Sequence, residues 1–296
     1  MPSEHQILKL IRNIVPHSKK YLHDDAAIIE NNLIVTTDSL VENTHFTLKT
    51  YRPEEIGWKA MAVNLSDIAA MGAKPLYALV SLSLPNKIAR AGLAPAPSLG
   101  WIKHLYTGII RCAKKYKTQI IGGNLAKSKE INITITVIGK TVVKTPQWGV
   151  STRSNAKPGD LVFATGAFGS GSCKKKPIPQ IELGQKIVKI AKRAALMDAS
   201  DGLADCLIQI AHQSNVKIII DENKIPRGKN SLSIALYGGE DYELVGTTSV
   251  NDCKKLSKIK QIKITGRAET GKGAYLKQSD RRLVKLDMKK TFKHFK

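Results

Sequence analysis

Carboxylates are scarce in this chain, yet they are clustered, and they are the residues best suited to carry out chemistry. Only 24 Asp and Glu stand against 47 Lys and Arg. Eleven of the 24 fall in five short segments: Asp24, Asp25, Asp38, Glu42, Asp67, Asp198, Asp201, Asp205, Glu240, Asp241 and Glu243. Asp67 stands in an apolar run, where an unpaired carboxylate is costly to bury. Because hard divalent cations prefer carboxylate oxygens, the pattern indicates a cation cluster.

The net charge of +23 has two interpretations. It suits a protein that binds nucleic acid or an anionic membrane. It equally suits a Lys-rich surface on a protein whose partners are small anions. The second interpretation is favoured, because the lysines are spread along the chain and no helix-turn-helix, zinc-finger or RNP motif is found. We therefore expect neither nucleic acid nor a membrane as partner.

The location of the protein follows from three further features. No apolar run reaches the ~18 residues of a transmembrane helix. The first residues carry an early acid and no apolar segment typical of a secretory signal. The four cysteines show neither CxxC nor zinc-finger spacing, which is typical of reduced thiols. We expect a cytoplasmic protein.

Hydrophobic periodicity places these acids on a mixture of helices and strands. Helices are predicted over residues 4–15, 53–71, 98–116, 184–195 and 203–214. Strands are predicted over residues 33–37, 77–84, 131–143, 161–165, 216–220, 242–247 and 262–265. Strands and helices are mixed in both halves, which indicates two α/β-type domains, residues 1–148 and 149–296. Asp38 would then follow a strand end, and Asp67 would project from a largely buried helix.

The common nucleotide-binding and hydrolase motifs are absent. The chain has no GxxxxGK[ST], no GxGxxG that opens a helix after a strand, no GxSxG and no HExxH. The glycine-containing segment 166–171 either brings backbone N–H groups close to phosphates or is a simple strand-to-helix turn. His45 follows the acidic strand end, and its position suits a ligand contact and a surface residue equally.

Four blocks, taken in order, resemble the thiamine-monophosphate kinases. They are residues 36–46 (TTDSLVENTHF), 58–75 (WKAMAVNLSDIAAMGAKP), 197–205 (MDASDGLAD) and 238–244 (GGEDYEL). A weaker match, residues 292–295, extends the resemblance to the C-terminus. Any one block could arise by chance, but the ordered set is highly specific. The chain is thus identified as a member of this family within the aminoimidazole-ribonucleotide-synthetase-like superfamily.

The resemblance implies a two-domain α/β (α+β) fold. In it an N-terminal ATP- and metal-binding domain dimerises through its sheet, and a C-terminal α/β domain closes over the site. It also implies the reaction ATP + thiamine monophosphate → ADP + thiamine diphosphate in a homodimer, with several Mg²⁺ ions. We infer direct in-line transfer, because the attacking phosphate oxygen is largely ionised at neutral pH and needs no strong general base. Two alternative hypotheses for the function are another ATP-dependent enzyme of the superfamily and a non-catalytic nucleotide-binding regulatory protein.

The resemblance assigns no catalytic residue beyond the metal cluster, and it assigns ligands by block. The metal ligands are Asp25, Thr36, Thr37, Asp38, Asp67, Asn124, Asp198 and Asp201. The ATP contacts are Gly123, Asn124, Arg153 and Ser200, and the thiamine contacts are His45, Glu240 and Phe292.

Three positions depart from the family pattern. Asn124 replaces the usual Asp, so one Mg²⁺ site should be weaker, because an amide oxygen carries no charge. His23 replaces a usual Gly, and the stretch between Gly171 and Lys186 is shortened.

Overall fold

The computed structural model describes residues 4–16, 18, 24–85, 97–142, 152–171 and 175–291. The helices in these ranges are α1 (Glu4–Ile14), α2 (Pro53–Ala70), α3 (Leu99–Lys115), α4 (Ile181–Ile190), α5 (Leu203–Gln213), α6 (Leu232–Tyr237) and α7 (Val250–Leu256). The strands are β1 (Ala27–Ile28), β2 (Leu33–Val41), β3 (Ala73–Pro85), β4 (Gln119–Ser128), β5 (Asn132–Thr141), β6 (Leu161–Thr165), β7 (Ala194–Asp198), β8 (Lys217–Asp221), β9 (Leu244–Thr248), β10 (Ile262–Glu269), β11 (Gly273–Lys277) and β12 (Leu283–Lys285).

The N-terminal half forms a five-stranded sheet in the order β1-β2-β5-β3-β4. Strands β3 and β4 run parallel, and the other neighbours are antiparallel. Along β5, Ile133, Ile135 and Val137 are buried while the residues between them are half-buried. This alternation shows that one face of the sheet is covered by the helices. Strand β4 lies at the edge, and most of its side chains are exposed.

The C-terminal half forms a seven-stranded sheet in the order β12-β11-β8-β10-β6-β9-β7. Strands β6, β7, β8 and β9 are short and mostly buried, as expected of strands covered on both faces, whereas the residues of β12 at the sheet edge are exposed. Helix α5 packs Leu203, Leu207 and Ile210 into the second hydrophobic core. The mixed α/β fold class predicted from the sequence is confirmed.

Helix α2 connects the two halves. It begins with Pro53 in its first turn, and the Glu55 carboxylate accepts a hydrogen bond from the Arg52 N–H at 2.9 Å. It ends at Ala70, and Gly72, just beyond the end, has a φ of +61° that suits a residue without a Cβ. Nearly every side chain of α2 is buried. It packs against β2, β5, α3, α4 and β7, so it contacts both sheets.

Glycines bring the neighbouring helices unusually close to α2. A Cβ on Gly57 would lie 2.0 Å from the Leu105 carbonyl oxygen of α3, and one on Gly108 would lie 2.1 Å from the Glu54 carbonyl oxygen. A Cβ on Gly184 of α4 would likewise lie 2.1 Å from the Ala69 carbonyl oxygen. These contacts hold α2 in one position relative to both helices.

Four secondary-structure predictions are wrong at their ends. Strand β3 begins at Ala73 and not at residue 77, and β10 continues to Glu269 and does not end at residue 265. The strand predicted over 33–37 continues to Val41, so Asp38 lies within β2 and does not follow it. The helix predicted over 184–195 ends at Ile190, and β7 begins at Ala194, because the chain turns between two apolar segments that a helical pattern also fits. The predicted domain boundary at residue 148 lies outside the described residues and stays a prediction.

No helix in the described part of the chain is both long and apolar enough to cross a membrane.

We expect Gly108→Ala to destabilise the protein by roughly 1–3 kcal/mol, because the new methyl group would push α3 away from α2. The matched control is Gly100→Ala in the same helix, where a Cβ would lie an ordinary 3.6 Å from the Ser98 hydroxyl. Thermal unfolding should show a loss of several degrees for the first variant and none for the second. Equal stability of the two variants would contradict the close helix contact.

Candidate active site

Three carboxylates from distant parts of the chain converge between the two sheets. Asp25 precedes β1, Asp67 projects from α2, and Asp198 is the last residue of β7. One oxygen from each lies within 4.8 Å of the other two. Three carboxylates this close repel one another strongly when all are ionised.

The electrostatics of this cluster follow from burial and mutual repulsion. Burial and then the charges of Asp38, Asp198 and Asp25 raise the pKa of Asp67 well above its usual value. Burial and then the charge of Asp25 raise the pKa of Asp198 in the same way. Burial raises the pKa of Asp25 as well, although the Arg153 guanidinium opposes this shift. Positive charge is therefore what the site needs to keep its carboxylates ionised.

The donor set fits a hard divalent cation. Asp25 Oδ2 is buried and has no hydrogen-bond partner within the described structure. The Thr36 hydroxyl donates to Asp67 Oδ2, and Asn64 Oδ1 accepts the Asp38 N–H at 2.9 Å. Carboxylate and hydroxyl oxygens of this kind are the ligands that Mg²⁺ and Ca²⁺ take in proteins.

Arg153 faces the same carboxylates. Its guanidinium donates to Asp25 Oδ1 and, at 2.8 Å, to Gln209 Oε1. Its backbone N–H donates to Asp24 Oδ1 at 2.7 Å. The side chains of Arg153 and Asp25 are 14% and 2% exposed, so this ion pair is largely shielded from water.

A cleft of about 740 Å³ opens above the cluster. Eleven residues predicted from the sequence line it: Asp25, Thr36, Thr37, Asp38, His45, Asp67, Arg153, Asp198, Ser200, Asp201 and Glu240. The volume is within the range of small-molecule sites. The other lining residues include Asp24, Val63, Gly238, Gly239 and Tyr242, which the sequence reasoning did not assign to the site.

Two of the predicted residues that the structure describes do not lie in this cleft. Gly123 and Asn124 pair with Val80 and Ser81 of β3 on the exposed edge of the N-terminal sheet. Phe292 lies outside the described residues, as does His23. The roles predicted for all of them stay predictions.

The loop 238–243 forms one wall of the cleft in a strained conformation. Glu240 and Tyr242 have backbone φ values of +56° and +53°, which residues other than glycine rarely adopt. The Glu240 N–H donates to the Ser200 carbonyl oxygen at 2.6 Å, and the Tyr242 N–H donates to the Ala199 carbonyl oxygen at 3.0 Å. Such strain persists where the surrounding structure holds the backbone in place, and it concentrates at functional sites.

The glycine-containing segment 166–171 supports this wall. The N–H groups of Gly169 and Ser170 donate to the Asp241 carboxylate at 2.9 and 3.1 Å. A Cβ on Gly171 would lie 2.1 Å from the Glu240 carbonyl carbon. These backbone donors therefore hold Asp241. The structure favours the interpretation of segment 166–171 as a turn over its interpretation as a phosphate-binding loop.

The fold agrees with the comparisons to known proteins. Residues 23–141 match the family described as AIR synthase related protein, N-terminal domain. The thiamine-monophosphate kinase of Bacillus subtilis is 34% identical, over 97% of this chain and 98% of its own length. The chain belongs to the thiamine-monophosphate kinase family. The family resemblance read from the sequence is thereby confirmed.

Solved structures of this kinase family share the whole fold. AaThiL complexed with AMPPCP and TMP is 31% identical, with a TM-score of 0.82 over 99% of this chain and 97% of the other. The enzyme from Aquifex aeolicus superposes with a TM-score of 0.76 over 95% and 97% of the two chains. The Escherichia coli hydrogenase maturation protein HypE, at 18% identity and a TM-score of 0.70 over 96% and 97% of the two chains, shows a shared fold alone.

Sequence reasoning about this family member missed Lys59, which the structure places against two predicted substrate contacts. Its side-chain nitrogen donates to Glu240 Oε1 at 2.5 Å and to the His45 carbonyl oxygen at 3.0 Å. The residue is 1% exposed. A single Lys in a helix of small and apolar residues was the available signal, because a lysine is rarely buried without a partner.

Removing one negative charge from the cluster should stabilise the protein when no divalent cation is present. We expect Asp67→Asn to raise the free energy of unfolding in EDTA, because burial and the charges of Asp38, Asp198 and Asp25 raise the pKa of Asp67 well above its usual value. The measurement is chemical denaturation at neutral pH.

The control for this variant is Asp280→Asn. Asp280 is exposed beside Arg282. The hydrogen bond from the backbone N–H of Arg282, and then the Arg282 guanidinium, lower the pKa of Asp280. Removing that charge should give no gain in stability. A loss of stability in Asp67→Asn would show that the buried carboxylates are already compensated.

Proposed function

We propose that this protein catalyses the ATP-dependent, Mg²⁺-dependent phosphorylation of thiamine monophosphate to thiamine diphosphate. The observation that carries the proposal is the convergence of Asp25, Asp67 and Asp198 at a cleft of substrate size, in a chain of the thiamine-monophosphate kinase family. AMPPCP and TMP bind together to a relative that shares the whole fold.

The charge of the cleft supports a requirement for Mg²⁺. Seven carboxylates line it within the described structure: Asp24, Asp25, Asp38, Asp67, Asp198, Asp201 and Glu240. Arg153 is the one Arg or Lys among those lining residues. Because both reactants are anionic phosphates, this lining would repel them without added cations. We propose that Asp25, Asp67 and Asp198 hold Mg²⁺, with Thr36, Thr37, Asp38 and Asp201 close by. The bound ions would neutralise and polarise the phosphates.

The reaction itself needs positioning more than covalent help. An oxygen of the thiamine monophosphate phosphate attacks the γ-phosphorus of ATP. The bond from that phosphorus to the β,γ-bridging oxygen breaks, and ADP leaves. The second pKa of a phosphate monoester is about 6, so the attacking oxygen is largely ionised at neutral pH and needs no strong general base.

The chain's own residues would position the two substrates from opposite walls. Arg153 and Ser200 would contact ATP near the carboxylates, and Glu240 would face the cationic thiazolium ring. His45 Nδ1 accepts the Val41 N–H at 3.0 Å, so a neutral ring carries its proton on Nε2 and can donate from there.

We further propose a homodimer formed through the N-terminal sheet. Strand β4 is an edge strand, and its Ile121 and Leu125 side chains are 53% and 73% exposed. Open edges and exposed apolar patches are typical of association surfaces. Gly123 and Asn124 lie on this strand and not in the cleft of the same chain, so a second copy is the proposed source of these ligands.

We place the reaction in the cytoplasm. Cys112, Cys206 and Cys253 are buried and free. Free thiols are typical of proteins from reducing compartments.

The proposed activity is tested by incubating the purified protein with ATP, thiamine monophosphate and increasing Mg²⁺, and measuring thiamine diphosphate. We expect Mg²⁺-dependent product formation with a high Mg²⁺ requirement, because Asn124 supplies no charge. Asn124→Asp should lower the Mg²⁺ concentration for half-maximal rate.

Failure of this assay would separate the alternatives. Nucleotide binding without turnover would favour a non-catalytic regulatory protein. ATP hydrolysis that does not depend on thiamine monophosphate would favour another enzyme of the superfamily.

Asp67→Asn should lower turnover at least about a hundredfold, because it removes one of three converging carboxylates, while circular dichroism stays that of the folded wild type. Wild-type turnover of this variant at low Mg²⁺ would show that Asp67 is not a central ligand.

Leu125→Glu tests the homodimer. In a single chain the side chain is mostly exposed, so the variant should fold, but a charge at a buried interface should give monomers with reduced turnover. Leu99→Glu is the control, since Leu99 is 86% exposed at the start of α3. Sedimentation of the wild type as a fully active monomer would contradict the proposal.

A further inference from the structure

We propose that Lys59 is a positioning residue for the thiamine substrate: its buried ammonium group links Glu240 to the main chain at His45 and so sets the geometry of the thiamine-binding walls. The inference rests on the proposed function, because Glu240 and His45 are its predicted substrate contacts. Lys59 itself lies beneath the cleft and is not among its lining residues.

The contacts of Lys59 join α2 and the segment just before it to Glu240, which is 181 residues away along the chain. The ammonium group donates to Glu240 Oε1 at 2.5 Å and to the His45 carbonyl oxygen at 3.0 Å. It also lies 5.3 Å from the centre of the Tyr51 ring, within the range of a cation–π contact. One charge on α2 thus holds the loop after β2 and the loop before β9 at a fixed separation.

Burial makes this link selective for a carboxylate. The Lys59 side chain is 2% exposed, whereas that of Glu240 is 32% exposed. A buried ammonium without a negative partner is strongly unfavourable, so the charge of Lys59 holds the Glu240 carboxylate at this position. The exposed part of Glu240 remains at the cleft, where it can attract a cationic ring.

The backbone supports the same geometry. Glu240 has the strained φ of +56°, and its N–H donates to the Ser200 carbonyl oxygen at 2.6 Å. The neighbouring Asp241 is held by the Gly169 and Ser170 N–H groups. The loop backbone is therefore held from the C-terminal side, and Lys59 holds the Glu240 side chain from the N-terminal side.

Lys59→Met is the first test, since methionine keeps much of the apolar stem and removes the charge. We expect KM for thiamine monophosphate to rise about tenfold or more, as for loss of one charged hydrogen bond. We expect KM for ATP and kcat to stay within about twofold, because the nucleotide contacts and the carboxylate cluster are untouched. Calorimetry should show the same weakening of thiamine monophosphate binding without ATP.

A double variant tests whether Lys59 acts through Glu240. If it does, Lys59→Met should add little to the KM of Glu240→Gln, because the interaction is already weakened in that background. Additive effects, an unchanged KM for thiamine monophosphate, or an equal rise in KM for ATP would overturn the proposal.

Lys175→Met is the matched control for packing. Lys175 also lies over the Tyr51 ring, at 5.5 Å from its centre, but it donates to the Thr50 carbonyl oxygen and not to Glu240. This variant should keep the wild-type KM values.

If Lys59→Met does not fold, Lys59→Gln is the second variant, because glutamine keeps a hydrogen-bond donor and removes the charge. A selective loss of thiamine monophosphate binding in it would support the proposal, and a uniform loss would refute it.

These outcomes are distinguishable from failure of the proposed function. A wild-type protein that forms no thiamine diphosphate contradicts the kinase assignment. A wild-type kinase whose Lys59 variants keep their KM for thiamine monophosphate contradicts only the role of Lys59.

Discussion

Mutual repulsion among buried carboxylates is the constraint on which this structure depends. Asp25, Asp67 and Asp198 come from three separate elements, yet one oxygen of each lies within 4.8 Å of the others. Burial raises the pKa values of all three, and the neighbouring carboxylates raise those of Asp67 and Asp198 further, so the arrangement costs free energy unless cations compensate it. Arg153 supplies part of that compensation. The proposed Mg²⁺ ions would supply the rest of the positive charge, and the same ions would bind the phosphates of the substrates.

Helix α2 carries this constraint into the fold. Asp67 near its C-terminal end reaches the carboxylate cluster, while Lys59, two turns earlier, reaches Glu240. A helix with such residues must be held without freedom to slide or rotate. The backbone contacts at Gly57 and Gly108 provide that restraint, because a helix pair this close has no room for a methyl group.

The elements that were predicted well have strong local signals. Strand β5 alternates Ile and Val with Asn and Thr, and α2 has a proline start and a glycine end, so local periodicity and end signals determined both. The failures have local causes too. Strand β2 continues past Asp38, because Thr37 and Ser39 lie on a face exposed to the cleft, where polar residues are compatible with a strand. The run 184–195 suits a helix throughout, and only sheet pairing with β9 makes a strand of its last residues.

By itself, the sequence determined the family, the fold class and eleven residues that the cleft brings together, because these depend on residue types at short, ordered spacings. Only the tertiary structure decided that Lys59 meets Glu240, that the glycine segment 166–171 holds Asp241, and that Gly123 and Asn124 lie on a sheet edge away from the cleft. Such contacts join residues that are far apart in the chain. Their geometry depends on how sheets and helices pack, and no spacing along the sequence records it.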